Sequence, residues 1–495
     1  MRRDIARMNK NLLIEYLNCR RLPMSQEAIH LHSALCEEAP DFYLHLLADP
    51  AAEVSHKREV LTNLLWNPAA HEVARQHILA TLYALPLNEA LRVISVIRDE
   101  RINRSRAREL LLGFLIGHEQ FPALAATKRQ RIVRLLKHAL GEQTWSSVKR
   151  FLAGTTLEGE AFLQRMVLRY AWNSDTMRAR EVLSFLAGVA CTPRDPLLTR
   201  SLAARQNIEQ GEGLPKETLL GLRGIYHKQV PVKKIAYLSA VTPQIVHQDG
   251  PLTAYHKAEF SRQAHQSTEA PEQEESLLTR LSRVFAASEQ EATEAHVSTD
   301  EYKVAALLEQ ALESVPQVEG RLGIVLDLSS SMISSGERLH HPVALALALV
   351  RLLRARVRES VFAQIGGSIS LDEETLPTPQ GVTDIATSIV SVAREQPQAL
   401  FVITDGYENT RPGDAEQVVQ GLRNLGLTMP VCQVVPLFAA FENLSQRKLG
   451  ANIPVIPVAH EEGVRELLAR VMLASANETL SANEVAQLQQ LLFAK

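Results

Sequence analysis

Cysteine is scarce in this chain: four in 495 residues. Cys19, Cys36, Cys191 and Cys432 lie far apart and form no CxxC pair, which argues against a disulfide framework and leaves them as small buried residues. Long apolar runs are missing as well. No stretch approaches the ~18 uninterrupted apolar residues of a membrane span, and the opening Met1-Arg2-Arg3-Asp4-Ile5-Ala6-Arg7 is charged, without an apolar h-region. A cytoplasmic protein with no membrane association is expected. No Ser/His/Asp or Cys/His arrangement and no P-loop occurs, and catalysis by metal-bound water would need a general base that nothing marks, so the expectation is a protein that is not an enzyme. His340-His341 has no His or Cys partner at ligand spacing, which favours two surface or helix-start histidines over a zinc site.

What is present is sharper. The run Gly323-Ile324-Val325-Leu326-Asp327-Leu328-Ser329-Ser330-Ser331-Met332 is an apolar strand that delivers Asp-x-Ser-x-Ser into one turn. Suitable complements follow in order: Thr383 in Gly381-Val382-Thr383-Asp384, and Asp405 at the end of Ala399-Leu400-Phe401-Val402-Ile403-Thr404-Asp405-Gly406. In open α/β sheets ligands collect at the carboxyl ends of strands, where Asp327 and Asp405 both fall. Hydroxyl and carboxylate oxygens are hard ligands, and Mg²⁺ favours octahedral oxygen coordination with few direct protein bonds. Asp327, Ser329, Ser331, Thr383 and Asp405 are therefore the candidate metal ligands, with Mg²⁺ or another divalent cation as the cofactor. The bland alternative is a polar turn after a buried strand.

These residues resemble the von Willebrand factor A domain and its metal-ion-dependent adhesion site, over about Glu319 to Ala474. Short continuous apolar strands alternate with helices, as in a mostly parallel sheet covered on both faces. Helices are expected at Pro342 to Arg358, Ile385 to Arg394, Ala415 to Leu425 and Glu462 to Leu473; further strands at Val361 to Ile365, Pro430 to Val435 and Ile453 to Val458.

The first half differs. From Asn11 to about Leu220 apolar residues recur at helical spacing in short segments separated by breaks such as Pro23, Pro40, Pro68, Pro86, Pro122 and Gly141. Many helices without a strand pattern suggest stacked hairpins of a HEAT-like solenoid, though with no strict sequence period. The expected fold class is α + α/β: a HEAT-like helical-repeat region over 1–250, a polar insertion or linker over 251–300, a doubly wound, Rossmann-like A domain with a preceding helix over 301–480, and a C-terminal helix over 481–495.

Charge divides the halves: residues 1–250 carry +9 and residues 251–495 carry −12, together the net −3. Residues 101–150 hold 11 basic and 3 acidic side chains. Arg101, Arg104, Arg106, Arg108, Lys128, Arg129, Arg131, Arg134 and Lys137 are the candidate RNA-binding residues, since such a cluster could hold several phosphates. A solvated face, or a docking surface for the acidic half, would give the same pattern.

A narrower resemblance joins the parts. A helical-repeat region, a helix like Val304 to Ser314, the link Val315-Pro316-Gln317-Val318-Glu319-Gly320 and a strand ending in Asp-x-Ser-x-Ser-Met are similar to the Ro autoantigen family, whose TROVE module carries a C-terminal A domain. Over 1–250 only architecture and charge match. The resemblance implies a helical ring that binds single-stranded ends of noncoding or misfolded RNA, and Y-type RNAs on its outer face, as a ribonucleoprotein. The alternative function is a cytosolic protein–protein adaptor whose A-domain metal captures an acidic partner side chain.

Overall fold

The computed structural model describes residues 8–154, 176–227, 229–231, 234–235, 238–239, 316–335, 338–339, 341–367, 379–408, 411–436, 447–458 and 461–493. The linker over 251–300, the helix expected from Val304 to Ser314, the segment Glu160 to Tyr170 and His340 lie outside them. Chain contacts divide the molecule into two units, Cys19–Thr268 and a second made of Met1–Asn18 with Glu269–Lys495. The expected 1–250 boundary therefore does not describe the N-terminus, because the first 18 residues belong with the C-terminal unit.

Strand β1 (Met8–Asn9) and helix α1 (Lys10–Cys19) open the chain. The helical unit follows with α2 (Gln26–Glu38), α3 (Pro40–His45), α4 (Val54–Trp66), α5 (Arg75–Ala84), α6 (Leu87–Ile94), α7 (Val96–Asp99), α8 (Ser105–Gly117), α9 (Phe121–Thr127), α10 (Arg129–Leu140), α11 (Glu142–Leu152), α12 (Thr176–Ala187), α13 (Pro196–Gln206) and α14 (Lys216–Leu222). Helices stack on near neighbours: α4 packs on α2 and α6, α8 on α5 and α10, as in a repeat array where each unit buries its face on the next. Their ends are written locally. Ser25 caps α2 by accepting from Ala28 N at 3.2 Å, and Asp195 caps α13 by accepting from Leu197 N and Leu198 N, which satisfies amide groups that lack helical partners.

A buried polar chain crosses this unit. His56 Nε2 lies 3.1 Å from the Leu22 carbonyl, which can only accept, so its Nδ1 accepts from His32 Nε2 at 2.9 Å. By the same logic His32 Nδ1 accepts from the Tyr43 hydroxyl at 2.9 Å, and Tyr43 accepts from Asn63 Nδ2 at 3.1 Å. Burial lowers the pKa of both imidazoles, which favours their neutral forms.

The C-terminal unit contains β2 (Val318–Asp327), the short β3 (Ser334–Ser335) and β4 (Arg338–Leu339), α15 (His341–Arg356), β5 (Val357–Ile365), α16 (Ile385–Ala393), β6 (Ala399–Ile403), α17 (Asp414–Asn424), β7 (Val431–Pro436), β8 (Val455–Val458), α18 (Glu461–Ser475), β9 (Thr479–Leu480) and α19 (Ala482–Phe493). Five strands form a parallel sheet in the order β5-β2-β6-β7-β8. Val325, Leu400 and Val402 pack with Ile385, Ile389 and Val419 from α16 and α17, while α15 and α18 pack on one another. The chain thus shows the α + α/β architecture expected from its sequence.

The N-terminal segment is tied into this unit. β1 pairs with β9 in antiparallel register, Met8 opposite Leu480. Arg470 on α18 reaches α1 through Asn18 Oδ1 at 2.7 Å and, buried, through the Leu17 carbonyl at 2.8 Å, while bonding the buried Glu466 at 3.1 Å. Among the described residues no helix is long and apolar enough to cross a membrane.

Candidate metal centre

Strand order places the site. From β2 the chain crosses to β5 on one side, then to β6 on the other, so the order reverses at β2 and leaves a crevice at the carboxyl ends of β2 and β6, the usual place for ligands. Asp327 ends β2, and Asp405 stands two residues beyond β6.

The Asp-x-Ser-x-Ser turn closes on itself. Ser329 N donates to Asp327 Oδ1 at 2.9 Å, and the Ser329 and Ser331 hydroxyls lie 3.0 Å apart at the head of the turn Ser330–Ile333. Backbone bonds stitch neighbouring loops to it: Gln380 N to the Leu328 carbonyl at 3.0 Å, Gly367 N to the Gln380 carbonyl at 3.1 Å and Ser330 N to the Gly381 carbonyl at 3.4 Å. Gly366, at φ +63°, allows this closeness, because a Cβ there would overlap the Gln380 carbonyl oxygen. The stitched loop carries Thr383, which is buried together with Asp327 and Ser329.

Asp405 enters from β6. It bonds the Ser331 side chain and feels the Asp327 charge; burial first, then that neighbouring carboxylate, push its pKa up to about 6, against the pull of Ser331 and Arg447. Burial also raises Asp327, against hydrogen bonds from Thr404 and Ser329. One buried and one partly buried carboxylate, close enough to feel each other's charge and with neutral hydroxyls around them, make a pocket of negative potential that a cation would relieve. The donor set suits a hard divalent ion: carboxylates and hydroxyls only. Among the described residues no group of three or more His, Cys, Asp or Glu is placed to hold a metal, so the hydroxyls are essential to this candidate.

Sequence reasoning missed Thr404. Its buried hydroxyl donates to Asp327 Oδ2 at 2.6 Å and accepts from Gly406 N at 3.0 Å, linking the ends of β2 and β6. Its position directly before Asp405 was the available signal. A cleft of about 300 Å³ adjoins the site, lined by Thr383, Asp384, Thr387, Glu408, Arg411 and Asp414 among others.

The basic residues of 101–150 do not form one surface. Arg104 Nη1 donates to the Leu65 and Trp66 carbonyls at 3.3 and 3.4 Å and stacks on the Trp66 ring. Arg106 donates to the Ala70 and Val73 carbonyls, Arg129 to those of Phe185 and Leu186, and Arg131 to Ser95 Oγ at 2.9 Å and the Leu91 carbonyl. These guanidiniums meet carbonyls at or just beyond the ends of neighbouring helices, where the dipole favours a cation. Lys128 pairs with Glu217 and Lys137 with Glu142. Arg101, Arg108 and Arg134 remain exposed.

Fold and site together define a protein with a helical-repeat unit and a parallel α/β unit whose oxygen-rich cluster lies at the sheet's carboxyl edge. No protein-family model matches the chain, and no curated protein matches it in sequence. Among solved structures, the chain is similar to the crystal structure of the Deinococcus radiodurans RO (RSR) protein, with 14% sequence identity, a TM-score of 0.37 and coverage of 94% of this chain and 92% of that one.

Proposed function

We propose that the C-terminal unit is a von Willebrand factor A-type domain that binds Mg²⁺ and uses it to capture an acidic side chain of a protein partner. The observation that carries this reading is the pairing of Asp405 with Asp327 beside the Ser329 and Ser331 hydroxyls. Ser329, Ser331 and Thr383 would hold the ion as neutral ligands, and Asp327 and Asp405 would balance its charge. When bound, the cation supplies an electrophilic position for a carboxylate oxygen. A site with so many neutral ligands leaves that electrophilicity largely intact, and the cleft beside Thr383 gives the partner's neighbouring side chain room. The task is binding, with no bond broken, so the protein is proposed not to be an enzyme. Calorimetric titration of Mg²⁺ into wild type and Asp327→Ala tests the site, and equal affinities would remove it.

A second reading concerns the helical unit. Arg101, Arg108 and Arg134 are exposed on a strongly basic segment, which favours contact with single-stranded ends of noncoding RNA, of the kind that the resemblance to the Ro family implies. Purified protein with excess absorbance at 260 nm that ribonuclease removes would support it. Protein free of nucleic acid that shows no affinity for RNA oligomers would overturn it.

A further inference from the structure

One guanidinium borders the candidate metal centre without an ion pair of its own. Arg447 lies over the ring of Tyr407, 3.1 Å from its centroid, and among the described residues it forms no salt bridge with a carboxylate. Its charge reaches Asp405, where it opposes the effect of burial. Both members of the stack are exposed, Tyr407 with 40% of its surface open.

The main chain fixes this pair against the candidate ligands. Tyr407 N donates to Asp405 Oδ1 at 3.1 Å, so ring and carboxylate belong to one turn. The Arg447 carbonyl accepts from Gln433 Nε2 on β7 at 2.9 Å. Gly406, at φ +85°, lets the two segments meet, because a Cβ there would come within 2.8 Å of the Arg447 carbonyl oxygen and 3.0 Å of the Arg447 Cβ. Nearby acids are engaged elsewhere: Glu408 accepts from Gly413 N and Ala415 N at the start of α17, and Asp384 from Thr387 N and Oγ1. The stacked guanidinium is thus ordered in advance, with its N–H groups open to a ligand.

A positive charge at this place works against a bound divalent cation unless an anion joins the two. One partner carboxylate can fill the open position on the cation. A guanidinium fork takes another in paired hydrogen bonds, and its ordering by the ring lowers the entropy lost when that second anion docks. Val382, directly before Thr383, is 63% exposed. Apolar, aromatic and arginine surface therefore borders the candidate ligands together, which suits a polypeptide better than a free anion.

We propose that Arg447, braced on Tyr407, is a specificity-determining residue that takes a second carboxylate of the captured partner, so that the site selects segments of clustered Asp or Glu over a single acidic side chain. The inference rests on the Mg²⁺-dependent capture proposed above and adds the class of partner sequence to it.

Two fluorescein-labelled hexapeptides test it by fluorescence polarisation on the full chain in saturating Mg²⁺, one all glutamate and one with a single glutamate among glutamines. Wild type should favour the all-glutamate peptide, and Arg447→Gln should cut that preference about fivefold, the upper range for an exposed ion pair. Arg447→Lys, which keeps the charge and loses the fork, should cut it less. Calorimetry without peptide separates this role from a structural one, because loss of a neighbouring positive charge should make Arg447→Gln bind Mg²⁺ more tightly than wild type. Weaker Mg²⁺ binding in that variant, or an unchanged peptide preference, would overturn the assignment of Arg447 and leave cation capture standing. Should Arg447→Gln melt below wild type, Tyr407→Leu is read in its place, with a reduced preference expected and an unchanged one overturning the stack. Mg²⁺-dependent binding of both peptides with equal affinity by wild type would sink the specificity alone, and a wild-type chain without Mg²⁺ affinity would sink capture and specificity together. Inorganic phosphate displacing the all-glutamate peptide at equal concentration would overturn the carboxylate assignment.

Discussion

The Thr404 hydroxyl donates to Asp327 Oδ2 at 2.6 Å, so the residue before one candidate ligand orients another that lies 77 positions away in sequence. Removing that donor leaves the Asp327 carboxylate less well aimed and its charge less compensated. Thr404→Val, close in shape, should weaken Mg²⁺ affinity about tenfold, the scale on which loss of an outer-shell partner acts. Calorimetry on the variant checks this; unchanged affinity would mean that Asp327 is positioned by Ser329 alone.

Gly366 offers a conformational test. With φ at +63° and the Gln380 and Leu328 carbonyls crowding the place of a Cβ, Gly366→Ala should cost roughly 1–3 kcal/mol. The displaced loop carries Thr383, so cation affinity should fall along with the melting temperature. A fully stable variant with normal affinity would show that the loop shifts freely.

Acid should weaken the helical unit through His32 and His56. Burial first, then the nearby His56, hold the His32 pKa down to about 3, and burial lowers His56 as well. The folded state therefore binds fewer protons than the unfolded chain, whose imidazoles titrate near the usual ~6.5. Their contribution is fully present above pH ~6.5 and is lost as pH falls from there toward the folded value, by up to about 1.4 kcal/mol per pH unit for each histidine. Urea unfolding at neutral pH and near pH 5 measures the slope. His32→Gln should flatten it, and equal slopes in the two proteins would exclude His32.

Arg470 anchors α1 to α18 through Asn18, Leu17 and Glu466. Arg470→Met should leave Glu466 as a buried charge without this partner, at a cost of about 3 kcal/mol. It should also expose α1 to protease. Resistance equal to wild type in limited proteolysis would show that the β1–β9 pairing suffices.

The sequence carried the α/β unit well because its signals are local. Gly323 to Met332 is one strand and one turn, and each later strand is a short apolar run, so β6, β7 and β8 were foreseen within about two residues of their observed bounds. The start of β5 was placed at Val361, but it begins at Val357, directly after α15, because Arg358 and Glu359 on an exposed edge interrupt the apolar pattern. In the helical unit Pro122 passed for a break, whereas it sits in the first turn of α9, where proline lacks no needed amide. The basic segment misled for a different reason. Composition counts the charge on Arg106 and Arg129 but cannot show the carbonyls they meet, which lie tens of residues away. Nor does any local pattern show that α1 belongs with the C-terminal unit.

That last feature bears on how the chain is made. Residues 8–18 leave the ribosome more than 450 residues before their partners β9 and Arg470. The helical unit, rich in near-neighbour contacts, can assemble while synthesis continues. The C-terminal unit must wait for two segments far apart in sequence to meet. Until α18 and β9 emerge, α1 is a helix without its groove, and the candidate metal centre is built on a sheet whose earlier-made buttress has yet to dock.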